Sequence, residues 1–248
     1  MDTLQPNVSV VIPAYNEERR LPPTLERLAD YFASFGRPVE ILIVNDGSKD
    51  ATATTARTVG ERLTTPTLSF RVLENPGNQG KGYSVRHGML EATGKWVLFS
   101  DADLSAPIEE LPKLIEAAEE GGYDGAIGSR ALDRSLVGVH QPFFRELSGR
   151  MFNLGVRAVA GLKFQDTQCG FKLFSHEAAQ AIFKRQQLTR FGFDVEVLYI
   201  AQKLGYRIAE VAVRWDDVEG TTVSMLSGAD AFVDLARVRW NDIRGLYR

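Results

Sequence analysis

The chain has a single cysteine, Cys169, so no disulfide can form within it, and a reducing, cytoplasmic setting is expected. Histidine is nearly as scarce. His87, His140 and His176 stand far apart, without the paired spacing of a zinc site. No apolar run approaches the ~18–20 residues that a membrane span needs. Met1–Asn7 lacks the basic and apolar regions of a signal peptide. A strong charge of either sign is missing too: the formal net charge of −3 gives no reason to expect a nucleic-acid partner. What the 248 residues do contain is 44% hydrophobic and 25% charged side chains, ordinary values for a soluble protein with a sizeable core.

The charge is unevenly spread. Residues 1–124 hold 12 Lys/Arg against 19 Asp/Glu, and residues 125–248 hold 17 against 13. Within 130–163 there are six basic and two acidic residues. Such a segment is either a solvated face or a site for a phosphate or an anionic membrane surface.

Short apolar runs at Val8–Ile12 (ended by Pro13), Val39–Val44, Leu68–Leu73, Trp96–Phe99 and Ala126–Ile127 read as buried strands. Between them, Leu21, Leu25, Leu28 and Phe32 recur at helical spacing, with Pro22 and Pro23 in the first turn. Further helices are expected over 51–63, capped by Ser48 and Asp50, up to Ala92 after the Pro76–Gly82 turn, and over 108–120. This alternation implies an α/β fold, a mostly parallel Rossmann-like sheet flanked by helices, with the strand C-termini along one ligand-binding edge.

The later part is less regular. Residues 131–142 read as a mobile loop, Phe143–Ala158 as a helix mixing aromatic residues with arginines, and Lys172–Phe174 as a short strand. A helix over 194–204, a strand over 207–214 and a C-terminal helix follow. In that last helix Val233, Ala236, Trp240, Ile243 and Tyr247 are expected on one face, with Arg237, Asn241, Arg244 and Arg248 opposite, a split that suits either core packing or a membrane interface. No linker or repeat interrupts the chain, so 1–248 is read as one domain, with halves at 1–128 and 129–248.

Polar clusters follow each of the first five strands. Asp101 and Asp103 are most stable as a pair if they share a cation, and hard oxygen ligands suit Mg²⁺ or Mn²⁺; alternatively Asp103 caps the next helix. Asp46 either accepts a hydrogen bond from a nucleobase or ribose, or belongs to an Asp-Gly turn. Gly80-Lys81-Gly82 opens a helix whose N–H groups, with Lys81, can meet a phosphate. It is not a P-loop, because position 75 is Asn and Gly82 stands where a Ser/Thr would bind Mg²⁺. Asp194 and Glu196 would point about 200° apart on a helix and cannot easily face one substrate together. Cys169, without a partner, reads as a small core residue.

These motifs together resemble the family 2 glycosyltransferases of the GT-A fold. The likeness rests on PAYNE at 13–17, NDGS at 45–48 and DAD at 101–103. DTQCGFK at 166–172 and FDVE at 193–196 resemble the polyprenyl-phosphate branch, most closely its dolichyl-phosphate β-glucosyl members, as does the segment from Trp215 to Gly220 before Thr221 and Ser224. The resemblance implies a nucleotide-sugar-binding first half and an acceptor-side C-terminal extension. Pro13, Ala14, Tyr15 and Glu17 would line the nucleotide pocket, and Asp46 would read the base. Asp101 and Asp103 would hold the diphosphate through Mg²⁺ or Mn²⁺. Ser129, Arg130 and Arg145 would meet the acceptor phosphate, and Gln168, Asp194 and Glu196 the sugar, with Asp194, Arg130 and Gln168 nearest the reacting centre. In the mannosyl relatives a Gln two positions after the second Asp completes the metal shell; here Ser105 stands there.

The implied reaction is inverting transfer of glucose from UDP-glucose to a polyprenyl phosphate at a membrane surface, by a protein at most peripheral on the cytoplasmic face. Mannosyl transfer from GDP-mannose, a soluble acceptor, and a nucleotide-sugar-binding module without catalysis are the alternatives. A nucleotidyltransferase is disfavoured, because its glycine-rich signature near the first strand is missing.

Overall fold

The computed structural model describes residues 5–138, 155–156, 159–216 and 227–248, with the backbone alone for 227–232. Arg145, most of the expected Phe143–Ala158 helix, and Thr221 and Ser224 lie outside these residues.

Among the described residues seven strands form one sheet: β1 (Val8–Ala14), β2 (Val39–Asn45), β3 (Leu68–Glu74), β4 (Trp96–Ser100), β5 (Gly125–Ser129), β6 (Phe171–Ser175) and β7 (Ile208–Ala212), in the order β3-β2-β1-β4-β6-β5-β7. All pairings are parallel except those of β6, which runs antiparallel to both β4 and β5. The C-terminal ends of β1 to β5 therefore share an edge with the start of β6. That puts 166–170 beside Asp101.

β1 runs two residues further than expected and contains Pro13, which pairs with Val44. Its pairing with β4 covers only Val8 to Val11, so the missing proline N–H costs no ladder bond on that side.

Helices cover both faces. One face carries α1 (Leu21–Ala33), α2 (Thr52–Leu63) and α4 (Leu111–Gly121), packed on Val10, Ile12, Ile41, Ile43 and Leu98. The other carries α3 (Lys81–Glu91), α5 (His176–Arg185), α6 (Phe193–Leu204) and α7 (Ser227–Ile243), packed on Val11, Leu42, Val44, Val97 and Phe99. Alternate residues of each strand feed alternate cores, which is why these strands read as continuous apolar runs.

Several expectations change. Asp50 supports the start of α2 through the Thr52 N–H at 3.0 Å, whereas Ser48 turns away and accepts the Asn16 N–H at 3.0 Å. The described part of the expected 131–142 loop, residues 131–138, carries local structure. It forms a 3-10 turn at Arg134–Leu136, and Val137 bridges to Trp215. Among the described side chains of α7, Leu235, Val238 and Asp234 are buried, while Val233, Trp240 and Ile243 face solvent. At 100° per residue Arg237 and Arg244 stand within about 40° of Val233, so they flank the apolar stripe rather than oppose it. Tyr247 lies beyond the helix, after Gly245 (φ 78°), and returns to the core.

Candidate active site

Backbone turns build the edge first. Asn16, in the left-handed region at φ 56°, accepts the Lys49 N–H on its side-chain oxygen at 2.9 Å, and the Glu17 N–H donates to Thr52 Oγ1 at 2.8 Å. These bonds tie the turn after β1 to the turn after β2. Gly47 has φ 65°, and a Cβ there would lie 2.4 Å from the Gly77 carbonyl carbon. Glycine alone lets the 45–48 turn lie against the 75–80 loop.

Asp46 is the knot between them. Its Oδ1 accepts Asn75 Nδ2–H at 2.8 Å and the Gln79 N–H at 2.9 Å, and its Oδ2 accepts the Gly80 N–H at 2.8 Å. The N–H groups read from sequence as a site for an external anion are thus partly taken by an internal one, at the positive end of α3. Asn75 also donates to Ser84 Oγ at 2.9 Å. Glu17, expected in the nucleotide pocket, holds Arg20 through Nε at 2.7 Å and a terminal nitrogen at 2.6 Å. Pro13 is half-buried, Ala14 buried, and Tyr15 exposed at the mouth.

Behind this frame a row of alternating charges runs from the core to the surface. Lys172, on β6, is fully buried; its ammonium donates to Asp194 and to the Cys169 carbonyl (2.7 Å) and sits 5.0 Å from the centre of the Phe99 ring. Lys81 lies within the field of Asp194 and pairs with Asp101 at 2.6 Å. Burial pulls the Lys81 ammonium down, but Asp101 and Asp194 outweigh it and hold it above its ordinary value. Asp194 moves the other way from a normal carboxylate. Burial raises it, Lys172 and Lys81 offset only part of that, and Asp101 adds to the rise.

On the acceptor side, Arg130 donates from Nε (2.6 Å) and a terminal nitrogen (2.9 Å) to Asp166 and stacks 5.4 Å from the Trp215 ring centre. The fork expected to grip a phosphate is therefore bidentate to a carboxylate in this structure. Burial lowers the guanidinium's proton affinity, yet Asp166 more than compensates. Ser129 is buried and accepts the Ala131 N–H at 3.3 Å, whereas the Gln168 side chain is exposed. Glu196 stands apart, which corrects its place at the sugar. It accepts the Gln187 and Leu188 N–H groups and the Tyr247 hydroxyl (2.5 Å), because its direction from α6 is far from that of Asp194. Cys169 is buried, and burial pushes its thiol up to about 12, as fits an inert core residue.

Residues 9–183 match Glycosyl transferase family 2. The chain belongs to that family. This glycosyltransferase is 34% identical over 252 residues to the dolichyl-phosphate beta-glucosyltransferase of Dictyostelium discoideum, covering 97% of this chain and 76% of that one. With the Drosophila melanogaster protein of the same name it shares 40% over 228 residues, covering 88% and 69%. With the Homo sapiens protein it shares 33% over 259 residues, covering 100% and 79%. Among solved structures, mannosyl-3-phosphoglycerate synthase from Rubrobacter xylanophilus superposes with a TM-score of 0.69 at 18% identity, covering 97% and 74%. Glucosyl-3-phosphoglycerate synthase from Mycobacterium tuberculosis, in complex with Mn²⁺, UDP-glucose and phosphoglyceric acid, gives 0.68 at 19%, covering 94% and 79%. These likenesses establish the GT-A fold.

The carboxylates of the glycosyltransferase fit a divalent cation. Asp101 and Asp103 are hard oxygen donors in a turn at the crevice, and Gly170 keeps the space beside them clear: a Cβ there would lie 2.1 Å from Asp101 Oδ2. Ser105 donates to Asp103 Oδ1 through its hydroxyl (2.9 Å) and its N–H (3.0 Å), which orients that carboxylate. Asp103 therefore does not cap the following helix, whose 3-10 start is preceded by Pro107. Among the described residues no group of three His, Cys, Asp or Glu converges.

Two residues escaped the sequence reading. Lys172 has no role in that reading beyond a strand and the end of the 166–172 motif, although a lone cation within the apolar Phe171–Phe174 run is the available signal of a buried partner. Asp166 was read only as part of a motif.

Proposed function

We propose that this glycosyltransferase moves glucose from UDP-glucose to a polyprenyl phosphate, inverting the anomeric carbon to give a polyprenyl β-glucosyl phosphate. The observation that carries the reading is that curated relatives at 32–40% identity over most of the chain are dolichyl-phosphate beta-glucosyltransferases. The alternating row of charges at the crevice supports it, because both partners of such a reaction are phosphates.

An acceptor phosphate oxygen forms a bond to the anomeric carbon as the bond to the diphosphate oxygen breaks, and the electron pair leaves with the diphosphate. A phosphate monoester has a second pKa of about 6 and is largely anionic at neutral pH, so the attack needs no general base. The task left to the protein is to hold two anions together. Lys81, kept charged by Asp101 and Asp194, faces the leaving diphosphate. Mg²⁺ or Mn²⁺ held by Asp101 and Asp103 would supply Lewis-acid neutralisation of that diphosphate. Asp194 is read as a positioning residue that aims Lys81, and Arg130, clamped by Asp166 and Trp215, supplies a fixed positive wall on the acceptor side.

The test is transfer of labelled glucose from UDP-glucose to a short polyprenyl phosphate, with Mg²⁺ or Mn²⁺ and an EDTA control. Metal-dependent movement of label into the organic phase is expected. Transfer that EDTA leaves untouched removes the metal from the reading. Transfer from GDP-mannose alone replaces the donor.

A further inference from the structure

Glu196 has no part in the reaction as read above, yet its carboxylate is wholly buried in the first turn of α6. Its hydrogen-bond partners among the described residues are all neutral. The Gln187 N–H donates to both oxygens at 3.0 and 3.1 Å, the Leu188 N–H to Oε2 at 2.8 Å, and the Tyr247 hydroxyl to Oε1 at 2.5 Å. Burial lifts the carboxyl above its ordinary value, and these donors offset only part of that. A buried carboxylate without a cation is costlier to the fold than an apolar residue, so its placement needs a reason beyond packing.

The reason lies in the segment it holds. Residues 186–192 join α5 to α6, and Gln187, Thr189, Arg190 and Phe191 are exposed, so few apolar side chains seat the segment. Its backbone lies instead on the start of α3. The Thr189 carbonyl accepts the Tyr83 N–H at 3.0 Å, and Gln186 Nε2 donates to the Gly82 carbonyl at 2.8 Å. A Cβ on Gly80 would lie 2.5 Å from the Thr189 oxygen, and one on Gly82 would lie 2.8 Å from the oxygens of both Leu188 and Arg190. Asp46 holds the Gly80 N–H as well, at 2.8 Å. Lys81 stands between these two glycines, so its ammonium reaches Asp101 from a backbone fixed by both the Asp46 loop and the 186–192 strap.

We propose that Glu196 is a positioning residue that fastens the 186–192 strap onto the start of α3 and so sets where Lys81 meets the donor's diphosphate. The stretch after α7 belongs to the same device. The Tyr247 side chain is fully buried with its hydroxyl on Glu196, and the Arg248 carbonyl accepts the Arg185 Nε–H at 3.1 Å, one residue before the strap. The proposal deepens the role given to Lys81 above and rests on it.

The experiment compares Glu196→Gln and Tyr247→Phe with the parent in hydrogen–deuterium exchange and in steady-state glucosyl transfer. Glutamine keeps the volume but offers one acceptor oxygen in place of two. In Glu196→Gln, exchange over 80–84 and 187–189 should rise about tenfold while 111–121 stays unchanged, and Tyr247→Phe, which keeps the strap N–H bonds, should raise it about threefold. In Glu196→Gln kcat should fall about tenfold with KM for UDP-glucose kept within about twofold, because a misplaced Lys81 loses contact to charge that develops as the diphosphate departs. In a Lys81→Met background the same change should lower kcat by less than about twofold, since the residue it acts through is gone. An equal fall in both backgrounds overturns the proposal and leaves Glu196 a structural residue. So does unchanged exchange over 80–84. If Glu196→Gln does not fold, Tyr247→Phe is read in the same two backgrounds, and no effect on exchange or kcat overturns the proposal. A parent that transfers no glucose, with the exchange changes present in Glu196→Gln, defeats the functional reading and leaves the strap standing.

Discussion

Asp166 and Asp194 are both buried beside a cation, yet the cation prevails at one and burial at the other. Asp166 receives Nε, a terminal nitrogen and the backbone N–H of Arg130, and the N–H of Gln168 as well. Burial works to raise its carboxyl, but Arg130 and these bonds hold it below its ordinary value. Asp194 has the ammonium of Lys172, the field of Lys81 and the repulsion of Asp101, and it stays above its ordinary value. A planar fork with several donors stabilises a buried charge; a point charge, with another carboxylate nearby, leaves it strained. The Arg130 pair therefore reads as a fixed wall, and the Lys172 pair as the base of a row whose outer members, Lys81 and Asp101, are partly exposed at the crevice.

The sharpest way to break this contrast is Lys172→Met. It removes the fully buried cation and leaves Asp194 held by Lys81 alone, at a cost of about 3–5 kcal/mol in urea unfolding. Lys172→Met/Asp194→Leu should regain most of that stability, because an apolar pair needs no desolvation of charge. It should regain little activity, since Lys81 then lacks its inner support. Equal stability of the single and double variants would show that the pair is not coupled.

Next comes Asp101→Asn at the outer end of the row. Glucosyl transfer should fall about 100- to 1,000-fold in kcat/KM, equivalent to about 3–4 kcal/mol, with a stability loss of no more than about 1 kcal/mol, because the lost pairing with Lys81 is partly offset by relief of the repulsion on Asp194. A stability loss as large as that of Lys172→Met would erase the distinction between the inner and outer ends.

Asp166→Asn tests the other pair. Leaving Arg130 without its carboxylate should cost about 3 kcal/mol. It should also change the response to acid. The folded protein holds Asp166 below 3.8, so its contribution is complete above about pH 4 and is lost as pH falls through the depressed folded value. Urea midpoints compared between neutral pH and about pH 3 should drop less for the variant than for the parent.

Much of the frame was legible from residues. The strands that feed two cores are continuous apolar runs, and the Asp-x-Asp after β4 falls on the edge where the C-terminal ends of the parallel strands gather. What escaped depended on pairings between distant segments. The inward turn of Asp46 follows from a contact between two loops that spacing does not encode. The antiparallel course of β6, which sets Lys172 beneath Asp194, is hidden in a five-residue strand. The reading of α7 sets its arginines opposite the apolar stripe, although at 100° per residue Arg237 and Arg244 stand beside it, and it counts Tyr247 in a helix that ends at Ile243.

The smallest effect is expected at Ser105→Ala. The variant loses one of two local donors to Asp103, the hydroxyl at 2.9 Å, and keeps the N–H at 3.0 Å. A single hydrogen bond to a partly exposed carboxylate is worth about 1 kcal/mol. Stability should therefore shift by no more than that, and the loss should appear as a roughly threefold to fivefold rise in KM for the donor, with kcat kept. That split is the informative part. A carboxylate that merely closed a turn would show only the stability change, whereas one that holds the donor's cation would move KM as its orientation loosens. An unchanged KM would place Asp103 with the turn and leave Asp101 as the one carboxylate of the pair that serves the substrate.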